Sequence, residues 1–276
     1  MTHATTAATA RTGGAGWTAV AEAYRDTFAP LCAGTIPAVL RAAALRGEDA
    51  RRARVLDAGA GTGRLTAALL STGAAVSAVD PDEAMLALAA ETAPDAQLGR
   101  AALPHLPYAA ASFDVTVANF VVNHVADPRA GLRELARVTR RGGRVVVTIW
   151  PSGHNTQSRL WAEVLEASGA RDVPATRLPA ALDFPRTVDG LSGLLKGAGL
   201  RQVASGTLRW THRTTPDALW RGADAGIGGI GTTLRAQTAA VRARMKLEHD
   251  RCVRSLTHAG ELVLPTTAIL AVGTRS

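Results

Sequence analysis

From residue 54 onward the chain alternates two hydrophobic rhythms. "RVLDAG" (54–59) is a short apolar run that predicts a strand ending in a turn. "TGRLTAALLST" (62–72) has the spacing of a helix, "AAVSAVD" (74–80) predicts a second strand, and "PDEAMLALAAET" (81–92) a second helix with Pro81 in its first turn. "AQLGRA" (96–101) and "SFDVTVANF" (112–120) supply two more strands. "PRAGLRELARVTRRGG" (128–143) predicts a helix with an apolar face of Leu132, Leu135, Ala136 and Val138 that stops at a glycine pair. "RVVVTIW" (144–150) follows as a fully buried strand. Strands alternating with helices in this order predict a parallel sheet covered on both faces.

After Trp150 the rhythm changes. Helical pieces are predicted at "RLWAEVLEAS" (159–168), near "TVDGLSGLLKGAGL" (187–200) and across 216–258, with strands at "RQVASGTLRW" (201–210) and "ELVLPTTAILAVGT" (261–274). The pattern predicts a doubly wound α/β fold with a mostly parallel sheet. One domain is expected over 17–276, with its core at 54–150 and helical insertions at 151–186 and 216–258. The polar, Gly-containing stretch 1–16 is expected to be a flexible tail.

Composition alters this picture little. The 276 residues are 47% hydrophobic, enough for a large α/β domain, and no apolar run has the length of a membrane span. A soluble, cytoplasmic protein is expected. Cys32 and Cys252 lie far apart without metal-ligand spacing, so no disulfide and no metal is predicted, and both should be small buried side chains. The net charge of +8 is carried almost wholly by arginine. Without an aromatic ladder or a helix-turn-helix signature, it argues for affinity toward anions in general and against nucleic acid as a partner.

The chemistry begins at "VLDAGAGTGRLT" (55–66), where Gly59, Gly61 and Gly63 follow the first strand. Glycine permits positive φ and removes the Cβ atoms that keep a ligand away from backbone. A dinucleotide fingerprint starting at Gly59 requires glycine or alanine at its sixth position, where this chain has Arg64, and the phosphate loop GxxxxGK[ST] is absent. Asp57 before the loop would repel a pyrophosphate and suits a cationic amino group. Asp80, at the end of the second strand, can accept both hydroxyls of a ribose. Met85, on the helix after Pro81, could cover an adenine face. The ligand these residues describe is an adenosine with a zwitterionic tail and no phosphate.

With those residues in place, the sequence resembles class I S-adenosylmethionine (SAM)-dependent methyltransferases akin to the ubiquinone/menaquinone-biosynthesis enzymes. "VLDAGAGTG", "AVDPDEAML", "ALPHLPYAAASFDVTVANFVVNHVADP" and "RVTRRGGRVVVTIW" match the family's motifs in order over about 54–150. The resemblance implies a Rossmann-like, doubly wound, mostly parallel seven-stranded sheet whose insertions at 151–186 and 216–258 form a lid over an acceptor, with SAM as cofactor and S-adenosylhomocysteine as product. It places Gly59, Ala60 and Gly61 against the methionine part, Asp80 on the ribose, Ala102 and Leu103 by the adenine, and Asn119 near the methionine. Ala102 stands where the family often has an acidic residue, leaving the Leu103 amide to serve the adenine. Trp17 and Tyr24 resemble a lid over the cofactor.

A sulfonium methyl is already activated, so alignment of the acceptor and exclusion of water are the main requirements. His124, with Asn123 beside it, is the candidate base for an acidic acceptor. Trp150, His154, Asn155 and Trp161, joined by Trp210, Trp220 and Arg221, are candidates for an aromatic acceptor pocket. His3, His105, His212, His249 and His258 are expected at the surface. A small-molecule acceptor in specialised metabolism is the first reading. An isoprenyl diphosphate methylated at carbon, clamped by Arg159, Arg186 or Arg221, is a narrower one. A SAM-binding protein that transfers no methyl, such as a cyclase, and an NAD-dependent oxidoreductase are the competitors. Calorimetric titration should give binding heat with SAM and none with NAD; the reverse would remove the resemblance.

Overall fold

In the computed structural model, residues 17–153, 155–174 and 178–276 are described. The expected tail 1–16, with His3, and residue His154 lie outside them. The chain divides into two compact units. One comprises 35–152, 178–208 and 267–276; the other comprises the chain up to Gly34 together with 153–177 and 209–266. The expected insertion 151–186 is thus split between the two units.

Among the described residues eight strands occur: β1 Arg54–Ala58, β2 Ala75–Asp80, β3 Gln97–Arg100, β4 Phe113–Asn119, β5 Thr139–Ile149, β6 Leu200–Thr214, β7 Thr257–His258 and β8 Glu261–Arg275. Their order is β3-β2-β1-β4-β5-β8-β6, with the two-residue β7 paired to β8. β3 to β5 pair in parallel, and β8 joins β5 antiparallel from Arg144↔Thr274 to Ile149↔Ile269. The chain order reverses between β1 and β4, the switch point at whose carboxyl strand ends open α/β sheets bind ligands.

Both faces of this sheet are covered, and this is why its strands read as unbroken apolar runs. Leu56, Ala118, Val145, Val147 and Ile149 pack with Leu132 and Leu135 of the helix Pro128–Val138 and with Leu191 and Leu195 of the helix Val188–Gly197. Val55, Val115, Val117 and Val146 point the other way, toward Val39 and Ala43 of the helix Ile36–Ala43 and Leu65 and Leu69 of the helix Arg64–Leu70. The side-chain period of two sends neighbours to opposite cores.

Two boundaries differ from the sequence expectation. The helix expected through Gly143 ends at Val138, because Thr139 already begins β5. The buried Thr139 hydroxyl donates to Leu135 O (2.7 Å) and meets the Thr116 hydroxyl at 2.9 Å. The following residues form an irregularity in which Phe113↔Thr139 is succeeded by Val115↔Arg144. The second helix begins at Glu83 rather than Pro81: Asp82 is its N-cap, accepting from the amides of Ala84 (3.0 Å) and Met85 (3.2 Å).

In the other unit the helical stretch 216–258 is three helices, Pro216–Asp224, Gly228–Arg235 and Ala239–Arg254. Gly226 at φ 95° separates the first two, and Thr215 and Thr238 cap the first and third. Leu160, Trp161 and Val164 of the helix Thr156–Ser168 share a core with Leu234, Met245, Cys252 and Leu262. Both cysteines are free and buried. No helix among the described residues is long and apolar enough to cross a membrane, and they contain no cluster of three metal-ligating side chains.

A Cβ at Gly143 would lie 2.6 Å from Asp114 O and 2.9 Å from Arg140 O, both backbone. Gly143→Ala is therefore expected to destabilise the fold by about 1–3 kcal/mol in urea denaturation, since the β5 irregularity must shift to admit it.

Candidate cofactor site

The glycine loop leaves β1 and is fastened at once to the end of β2. Gly59 N–H and Ala60 N–H donate to Val79 O at 2.7 and 2.9 Å, and Gly61 N–H donates to Asp80 Oδ2 at 2.9 Å. Three successive amides are therefore directed at the neighbouring strand. What the loop offers a ligand is space, and the three glycines differ in how they make it. At Gly59 (φ 86°) a Cβ would collide with Val121 Cγ2 at 2.3 Å, and at Gly63 (φ 81°) with the Ala89 backbone at 2.8 Å. At Gly61 (φ 53°) a Cβ would meet nothing within 4 Å. Gly59 and Gly63 let parts of the chain approach each other; Gly61 faces the open side.

Two buried carboxylates flank this loop. Asp57 is 1% exposed; its Oδ2 accepts from the Thr66 hydroxyl at 2.7 Å, while its Oδ1 has no hydrogen-bond partner. Burial pushes its carboxyl up to about 7, the Thr66 bond opposes this, and the charge of Asp80 adds to it. Asp80 accepts Gly61 N–H on one oxygen and Asp82 N–H, at 3.0 Å, on the other. Burial raises its pKa, and these two amide bonds pull it back down. Each carboxylate oxygen has a second lone pair, so Asp80 retains an acceptor on either side for a diol.

Alongside Asp80, β3 pairs through Asp80↔Arg100, and Ala101 N–H donates to Asp80 O at 3.3 Å. The exposed Ala102 and half-buried Leu103 come next, with the Ala102 carbonyl held by His105 N–H at 2.9 Å. The residues expected at ribose and adenine are thus adjacent through β2 and β3. Pro81 is exposed beside them, whereas Met85 is buried, 2% exposed.

At the neighbouring end of β4, Asn119 Oδ1 accepts from the hydroxyls of Thr35 (2.8 Å) and Thr148 (2.5 Å). Phe120 follows at φ 59°, a strained value for an aromatic residue. Its amide donates to Thr148 O (3.1 Å) and Oγ1 (3.0 Å), and its ring stacks on Trp150 at 4.0 Å. A 3₁₀ turn, Val122–His124, carries the two candidate catalytic residues. His124 is half-buried, and Asn123 Oδ1 is buried without a partner.

Other candidates lie elsewhere. Tyr24 belongs to the second unit, where its ring packs edge-on to Trp17 at 5.2 Å and its hydroxyl meets Cys32 Sγ at 3.6 Å. Asn155 caps the helix Thr156–Ser168. Trp161 and Trp220 pack around His249 in the second unit's core, and Trp210 lies against Gly34 of the same unit, whereas Trp150 belongs to the first. His249 (0% exposed) and His212 (7%) are buried, against expectation, and burial lowers the pKa of each; His105 and His258 are exposed. Arg186 is paired with Asp183 and Arg221 with Asp217, while Arg159 is exposed.

Sequence reasoning missed Thr35, Thr66 and Thr148, the hydroxyls that hold Asn119 and Asp57. Thr66 carried a faint signal, a polar residue on the apolar face of its helix. Thr35 carried none, being 84 positions from its partner.

A family profile described as a methyltransferase domain matches residues 56–147. A demethylmenaquinone methyltransferase of Mycolicibacterium vanbaalenii is 39% identical over 122 residues, covering 44% of this chain and 51% of the relative. The chain thus spans about half the length of the curated relatives it matches. The YcgJ protein of Bacillus subtilis superposes with a TM-score of 0.55 at 19% identity, over 88% of this chain and 98% of that one. A Haemonchus contortus phosphoethanolamine N-methyltransferase, solved with S-adenosylhomocysteine, gives 0.52 at 16% identity over 88% and 52%. These likenesses show the fold.

Asp57 titrates from 3.8 in the ordinary case to about 7 in the fold. The folded protein keeps a proton that the unfolded chain has lost, so this contribution to stability is full below about pH 4 and disappears as pH rises to about 7. Asp57→Asn is expected to flatten that decline in pH-dependent urea denaturation. A cationic ligand that favours the ionised carboxylate should expel a proton near pH 6, visible as a buffer-dependent heat in calorimetry.

Proposed function

We propose that this chain transfers a methyl group from SAM to a small-molecule acceptor, a reading supported by the match of residues 56–147 to a methyltransferase domain profile and by the demethylmenaquinone methyltransferase relatives. The observation that carries the reading is the open face of Gly61 beside two buried carboxylates, one with an unsatisfied oxygen. That donor set fits SAM. The Asp57 carboxylate suits its ammonium group, Asp80 its ribose diol and the Leu103 amide its adenine. Bound there, SAM supplies a methyl already activated by its positive sulfur.

The chain's own part is to orient and to exclude water. The turn that carries His124 and Asn123 follows directly on the end of β4 at Asn119, and this supports His124 as the base that takes the proton of an acidic acceptor. Removing such a base costs about 10²–10⁴ in rate.

The acceptor named for the Mycolicibacterium relative supports one of quinone type. The family match ends at Val147, before most of the second unit, and this supports an acceptor particular to this chain, as in specialised metabolism. A diphosphate acceptor draws less support, because Arg186 and Arg221 are already paired with carboxylates.

Incubation with methyl-labelled SAM and a panel of quinols, phenols and amines tests the reading. Label is expected in an acceptor, with His124→Ala slowing transfer by at least about a hundredfold while leaving S-adenosylhomocysteine affinity intact. Label that stays on the donor with every acceptor, despite tight binding, would point to the non-transferring alternative.

A further inference from the structure

The side-chain amide of Asn119 is fixed in one orientation. Its Oδ1 takes two hydroxyl protons, from Thr35 and Thr148, both wholly buried. The Thr148 hydroxyl also accepts Phe120 N–H, so its single proton is committed to Asn119. Turning the amide over would point its NH₂ at an oxygen that already receives an N–H, and would strand the Thr148 proton in a buried site, a loss of about 1–3 kcal/mol. Oδ1 therefore faces inward and Nδ2 outward. Asn119 is half-buried, and no group among the described residues takes its Nδ2 protons. It ends β4 beside β1, where Asp57 pairs with Val117, and two residues later Val121 abuts Gly59.

We propose that Thr35 and Thr148 are positioning residues that make Asn119 a fixed N–H donor to the carboxylate of the cofactor's amino-acid tail. The inference rests on the cofactor reading above. Asp57 then answers the ammonium of that tail and Asn119 its carboxylate, so the two charges meet opposite partners. The strain at Phe120 belongs to the same device: the amide that holds Thr148 in place is that of the residue forced to φ 59°.

Asn119→Asp keeps both threonine hydrogen bonds and removes the donors. Its affinity for S-adenosylhomocysteine should fall by at least about tenfold, while affinity for 5′-methylthioadenosine, which lacks the amino-acid tail, should stay unchanged. Thr35→Val with Thr148→Val should weaken S-adenosylhomocysteine severalfold and again spare methylthioadenosine; the matching serine variants should restore binding. An equal loss for both ligands in Asn119→Asp, or wild-type affinity in that variant, overturns the proposal. If the valine pair fails to fold, the serine variants and Asn119→Asp still decide. Wild-type protein that binds neither nucleoside would sink the cofactor reading itself, a distinct result.

Discussion

The fastening of the glycine loop to the end of β2 is the constraint on which the site depends. Val79 O gathers two amides and Asp80 a third, so the loop cannot lift away from the sheet without exposing three donors and a buried carboxylate. The same bonds set the direction of Asp80 and turn Gly61 outward. Such a surface is ordered before any ligand arrives, which lowers the entropy that binding there would cost. The loop's rigidity thus comes from hydrogen bonds to the next strand, and its openness from the one glycine that no neighbour crowds.

The parallel sheet supplies the frame for this arrangement. With both faces covered by helices, the strands are interchangeable in their apolar character, and functional groups can sit only at their ends. Asp57 near the end of β1, Asp80 at the end of β2 and Asn119 at the end of β4 are brought to one edge because these strands run in parallel around the point where chain order reverses. Each is held by hydroxyls or amides from a neighbouring segment. Thr66 secures Asp57, the loop amides secure Asp80, and Thr35 and Thr148 secure Asn119.

In the second unit, polar groups that looked like chemistry from their residue types serve packing. His249 lies between Trp161 and Trp220 and bonds Asp250 through Nδ1 at 3.1 Å. Asn155 caps a helix, and Arg221 and Arg242 pair with acids of their own unit, Asp217 and Asp224. Two of the guanidinium groups that suggested an anionic partner are thus met locally by carboxylates. Such pairs contribute little to stability at the surface.

The sequence by itself determined the alternating strands and helices, the glycine loop and the carboxylates at the ends of the first two strands. These rest on local rules: a period of two or of 3.6, the conformational freedom of glycine, and the distance from one strand end to the next. It also argued against a dinucleotide fingerprint, through Arg64, and excluded a phosphate loop, through the missing GxxxxGK[ST]. Only the tertiary structure decided which glycine is left uncrowded, since Val121 and Ala89, which crowd Gly59 and Gly63, come from other segments. It likewise decided that Met85, His212 and His249 are buried, and where the orienting hydroxyl of Thr35 comes from. Burial and hydrogen-bond partnership are properties of residues distant in the chain, and no local period carries them.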